Sequence, residues 1–176
     1  AEITVKPIRR AAGHEVDAED NQAVWARWDG AAPADQAAGF LSHDAAYLET
    51  VEGLPPEQRS TLSVDLGFLP EPVPLVVALG MRLNEVANHA WDVQVALDPA
   101  AEVDPDAAEV LLDLFAGPLA FLLGFSGKPD QAPEAVRLAV PGGGVIVDGG
   151  VSVVRDLEDP TASLSAPAGA TIRLLA

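Results

Sequence analysis

Apolar residues recur at steps of three and four over most of the first 125 positions, then at steps of two. That change of period predicts helices first and strands afterwards. Ile3, Pro7 and Ile8 lead into Arg9, Arg10 and Gly13, a basic last turn and a glycine stop, which predicts the end of a helix. No N-cap precedes Ala1, so the chain is expected to be part of a longer protein. The acidic run over 15–21 predicts a loop, and Val24, Trp25 and Trp28 a short aromatic helical turn. A longer helix is expected over 33–53, opened by Pro33, closed by Gly53 before Pro55-Pro56, with apolar positions Phe40, Leu41, Tyr47, Leu48 and Val51. Pro70, Pro72 and Pro74 make 61–74 extended or irregular.

The clearest helix covers 75–97. Val76, Leu79, Leu83, Val86, Ala90, Val93 and Leu97 form a bundle-type seam that ends at Asp98-Pro99. Asp104-Pro105 reads as an N-cap followed by proline at the first helical position. It opens a helix through Leu111, Leu114 and Phe115, broken at Gly117-Pro118 and resuming to Leu123. Strands are expected over 136–140, 145–147 and 151–154, an alternating stretch over 161–164, and a closing helix over 168–175. The fold class is therefore α+β: a helical bundle over 1–98, then a small α/β domain with a short sheet over 104–176.

Composition narrows the function classes. The 176 residues include 27 acidic and 10 basic side chains, for a formal charge of −17. Phosphates attract clustered Lys and Arg, so nucleic acid and anionic membrane surfaces are not expected partners. No stretch of about 20 uncharged apolar residues exists to span a bilayer. With no secretory h-region at the start, the expected location is cytoplasmic. The chain has no cysteine, hence no disulfide, no thiolate nucleophile and no thiolate-held zinc. Abundant alanine, and arginine in place of lysine, point to a high-GC bacterial genome.

Candidate chemistry sits beside the seam of 75–97. Arg82, Glu85, His89 and Asp92 follow one another at steps of three, four and three, which places them on one helical face. Glu85 and His89 at i, i+4 can offer a carboxylate oxygen and an imidazole nitrogen to one metal ion, the logic of paired ligands on an H-E-x-x-H helix. These ligand types suit zinc and neighbouring divalent metals, but a catalytic zinc site takes a third protein ligand from elsewhere. Helical ion pairs, Arg82 with Glu85 and His89 with Asp92, explain the same spacing without any metal.

The run Met81-Arg82-Leu83-Asn84-Glu85-Val86-Ala87-Asn88-His89-Ala90-Trp91-Asp92-Val93 resembles the signature helix of the mycothiol-dependent maleylpyruvate isomerase family, one of the DinB-like metal-binding bundles. Further matching stretches are Asn21-Gln22-Ala23-Val24-Trp25, Asp65-Leu66-Gly67-Phe68-Leu69-Pro70, Gly117-Pro118-Leu119 and Gly124-Phe125-Ser126-Gly127-Lys128. The resemblance implies a four-helix bundle, its first helix missing here, followed by a small α/β domain. It implies a divalent metal, typically zinc, on Glu85, His89 and a histidine lying just before Ala1, with Arg82 and Asp92 supporting the ligands. It also implies mycothiol, a low-molecular-weight thiol whose sulfur can bind the metal, and a small, acidic, electrophilic substrate in an isomerase or thiol S-transferase reaction. The family tends to continue after Ala176 with an arginine that can serve the active site, and the glycine-rich join at 141–144 is shorter than its pattern.

Other residues keep two readings. Arg173 can orient an anionic substrate or make a surface salt bridge. His43 can supply a replacement ligand or be packed beside the Phe40–Tyr47 stripe, and His14 reads as a solvated loop residue. Two other functions compete with the thiol enzyme: a non-catalytic binding or regulatory bundle, and a metal-dependent hydrolase using water. The assembly is expected to be a monomer or homodimer.

Overall fold

The computed structural model describes residues 1–176 and has an α+β fold. Its helices are α1 (Glu2–Ala11), α2 (Asn21–Asp29), α3 (Pro33–Gly53), α4 (Pro56–Thr61), α5 (Leu75–Val95), α6 (Pro105–Phe115), α7 (Leu123–Ser126) and α8 (Ala168–Leu175). Its strands are β1 (Ser63–Val64), β2 (Val73–Pro74), β3 (Val136–Val140), β4 (Gly143–Val147), β5 (Val151–Val154) and β6 (Ala162–Ser163). The chain divides into two compact units, Ala1–Ala78 and Leu79–Ala176, so the division falls inside α5. No single helix is long and apolar enough to cross a membrane.

In the first unit α1 packs on α3, and α2 also touches α1. Asp20 starts α2, its carboxylate accepting from the Ala23 N–H at 2.8 Å, as an N-cap should. The core is Val5, Ile8, Val24, Tyr47, Leu54 and Val64, joined by Leu75, Val77 and Ala78 at the start of α5. On α3 the expected apolar stripe is largely outside: Phe40, Leu41 and Leu48 are exposed. The sheltered positions are Gly39, His43, Tyr47 and Thr50, again three or four apart. Polar and small residues face inward here because they meet the Trp28 ring and the Glu2 carboxylate. Gly39 is required at that contact, since a β-carbon there would strike Cη2 of the Trp28 ring. Gly39→Ala is expected to cost about 1–3 kcal/mol through overpacking, read as a lower chemical-denaturation midpoint with altered tryptophan emission.

In the second unit a four-stranded sheet has the order β5-β4-β3-β6, antiparallel except for the parallel β3–β6 pair. Its borders are therefore β5 and the two-residue β6. Val140 pairs with Gly143, leaving Pro141-Gly142 as a tight turn in which Gly142 takes φ +83°. The sequence reading began this strand at Val145, but β4 begins at Gly143. These strand positions are glycine because a β-carbon at 143 would strike the Val154 carbonyl, and one at 144 the Leu157 side chain. The Asp104 cap forms as expected, accepting from the Ala107 N–H at 2.9 Å. Ala108, Leu111, Leu112 and Phe115 of α6 are buried, and α8 packs on α6 through Ile172 and Leu175.

The seam of α5 is only partly internal. Val76, Val93 and Leu97 are exposed, whereas Gly80 and Asn88 are buried. Within the second unit, Gly80 of α5 faces Leu114 and Leu119, which leave no room for a β-carbon.

Candidate metal centre

Helix α5 carries all four residues of the predicted stripe. Glu85 Oε2 lies 3.4 Å from His89 Nε2, and Asp92 Oδ2 lies 3.0 Å from His89 Nδ1. The imidazole is thus bracketed by one carboxylate a turn before it and another a turn after it. Arg82 sits three residues ahead of Glu85, half-buried. Arg173 reaches the same place from α8: its Nη2 is 3.2 Å from Asp92 Oδ1, and its Nη1 donates to Asn88 Oδ1 at 2.9 Å. Its guanidinium also lies over the Trp91 ring, 4.2 Å from the centroid. The structure therefore brings together Glu85, His89, Asp92 and Arg173, gives Trp91 of the signature run a place as a stacking platform, and adds Asn88, which the sequence reading did not select.

Packing explains the delivery of Arg173. Ile172 and Leu175 anchor α8 in the core, and Gly169 lets its first turn approach Val103 at van der Waals distance. Trp91 is held from the other side by its indole N–H, which donates to the Ala101 carbonyl at 2.9 Å.

The donor chemistry fits two ligand positions of a metal site. Both carboxylates only accept, so each can take a hydrogen from the ring nitrogen it faces; in a neutral ring the shorter contact, Nδ1 to Asp92 at 3.0 Å against 3.4 Å for Nε2 to Glu85, favours the hydrogen on Nδ1. In that tautomer Nε2 and Glu85 are two acceptors 3.4 Å apart, a place that a proton or a metal ion can fill. An Nδ1–H bonded to a carboxylate is also the arrangement that orients metal-binding histidines. Glu85 and His89 are 55 % and 73 % exposed, so as ion pairs these contacts are worth only about 0.2–0.5 kcal/mol each. Stability alone gives little reason for the constellation. No third His, Cys, Asp or Glu completes a three-residue metal group.

The other histidines are elsewhere. His14 is exposed after Gly13, which takes φ +88°. His43 belongs to a polar cluster of the first unit, 3.2 Å from Glu2 Oε2 and edge-on to Trp28. Glu2 is 8 % exposed and accepts from both terminal nitrogens of Arg27, at 3.1 and 2.9 Å, and from the Trp28 indole at 2.7 Å. Arg27 above all holds the Glu2 carboxyl at about 2, against the opposing effect of burial, with Trp28 and Lys6 adding to it. Burial pulls Lys6 down, but Asp17 and Glu2 outweigh it and leave it raised. The Arg27 guanidinium is pushed up, by Glu2 first and Glu19 second. A cavity of about 270 Å³ adjoins the cluster, bordered by Trp25, Trp28, Phe40 and His43. The local signals for this cluster are the Glu2–Lys6 pair at i, i+4 and the adjacent Arg27-Trp28.

No family model matches the chain. Two curated relatives, the uncharacterized proteins MT0763 and Rv0738 from two strains of Mycobacterium tuberculosis, are each 32 % identical over 83 residues. The match takes in 47 % of this chain and 40 % of each relative. No solved structure matches.

Proposed function

We propose that this chain is part of a DinB-like, divalent-metal enzyme that uses mycothiol on a small, acidic, electrophilic substrate, as an isomerase or thiol S-transferase. The observation that carries this reading is the bracketed imidazole, with Nδ1 spent on Asp92 and Nε2 turned to Glu85. Glu85 and His89 would hold the metal, and Asp92 fixes the ring that presents Nε2. A divalent cation bound there lowers the pKa of a coordinated thiol or water and so supplies a nucleophile near neutral pH. The chain has no cysteine, so any sulfur nucleophile must come from a cofactor.

The test is a zinc titration of the full-length protein, followed by thermal shift with mycothiol. Zinc at about 100 times its dissociation constant is expected to add about 2.7 kcal/mol of stability. Mycothiol is expected to raise the melting temperature further only when zinc is present. Zinc binding without a thiol response would favour a water-using hydrolase, and no response to either a non-catalytic module.

A further inference from the structure

We infer that Arg173 is a positioning residue that locks the tautomer of His89 through Asp92. Its catalytic consequence rests on the metal-site reading above; its geometry does not. Each oxygen of Asp92 has its own partner, Oδ1 with Arg173 Nη2 and Oδ2 with His89 Nδ1. The carboxylate therefore cannot swing away from the imidazole without also breaking its contact with Arg173. The guanidinium is fixed in turn. Asn88 spends its amide N–H groups on the Asn84 backbone and side-chain oxygens, at 2.9 and 3.0 Å, which aims Oδ1 at Arg173. Flipping that amide would set donor against donor. Asn88 is only 6 % exposed, so its remaining acceptor has no ready substitute in solvent.

The face of the guanidinium is covered as well, by Trp91. Two of its five N–H donors are thus spent on Asp92 and Asn88. With Arg173 in place, Nδ1 of His89 keeps its hydrogen and Nε2 stays directed at Glu85. Arginine suits this role better than lysine, since its planar fork engages two acceptors while stacking on a ring.

The experiment is nitrogen-15 NMR of the histidine rings in the metal-free 176-residue chain, at about pH 8.5, above the ordinary histidine range. Signals are assigned by single replacement of His14 and His43. In the wild type, His89 is expected as one Nδ1–H tautomer. Arg173→Gln is expected to give a mixture of tautomers and to raise the zinc dissociation constant about tenfold, the lower end for groups that support a metal ligand. Asn88→Ala, which leaves Arg173 present but removes one of its acceptors, should move the tautomer in the same direction by less. An unchanged tautomer in Arg173→Gln overturns the inference whatever the zinc affinity does. A wild type that binds no zinc would instead sink the metal-site reading, and the tautomer measurement on metal-free protein would still decide the role of Arg173.

Discussion

His89→Ala is expected to weaken zinc binding by more than about 100-fold, and Glu85→Ala to do the same. Groups that only support a ligand are worth about 10–100-fold in metal affinity, and removing a ligand should exceed that range. Both side chains are more than half exposed, so neither change leaves a cavity or an orphaned buried group. The folded chain should therefore survive with nearly wild-type stability when metal is absent. Isothermal titration with zinc, beside an unchanged denaturation midpoint without it, separates loss of the site from loss of the fold. If both variants bind zinc as the wild type does, the site assignment is wrong.

Acid is expected to cost the first unit about 3 kcal/mol through Glu2 alone. Its carboxyl is lowered from the ordinary 4.5 to about 2 in the folded chain, and each unit of difference is worth about 1.4 kcal/mol. Because the folded value is the lower one, the contribution is complete above about pH 4.5 and disappears as the pH falls through about 2. Glu2→Gln should be destabilised by a similar amount at pH 7, and the gap between it and the wild type should close below pH 4.5. Urea midpoints measured for both proteins from pH 7 to pH 2 check this. A gap that stays constant over that range would show that Glu2 is not held ionised by Arg27, Trp28 and Lys6.

These two effects differ in how far the sequence announces them. Glu85 and His89 are a turn apart on a helix, so their meeting follows from helical geometry. The boundaries of α3 and α6 were legible for the same local reason, through Pro33 and the Asp104 cap, and the closing helix over 168–175 also forms. The short α4 was missed because 56–61 has few apolar residues and follows two prolines. Spacing does not say which neighbour a face will meet. The seam of α5 was read as buried throughout, yet Val93 and Leu97 are exposed while the polar Asn88 is covered. Asn88 tolerates burial because Asn84 and Arg173 satisfy its amide. Its contact with Arg173 joins residues 85 positions apart, and Glu2 finds Arg27 and Trp28 at separations of 25 and 26. No local period encodes such pairs.

The borders of the small sheet bear on how the chain behaves when concentrated. An open strand edge is a template for pairing with another copy, and long flat apolar edges lead to aggregation. Here one border offers two residues, Ala162 and Ser163, and the other offers four, Val151 to Val154. The apolar run of β5 is followed at once by Arg155 and Asp156, with Arg155 tied to Asp113 at 2.9 Å. Charges next to a short strand act as gatekeepers against fibril growth. Lengthening β5 by replacing Arg155 and Asp156 with valines would remove that protection and favour strand-by-strand stacking of molecules.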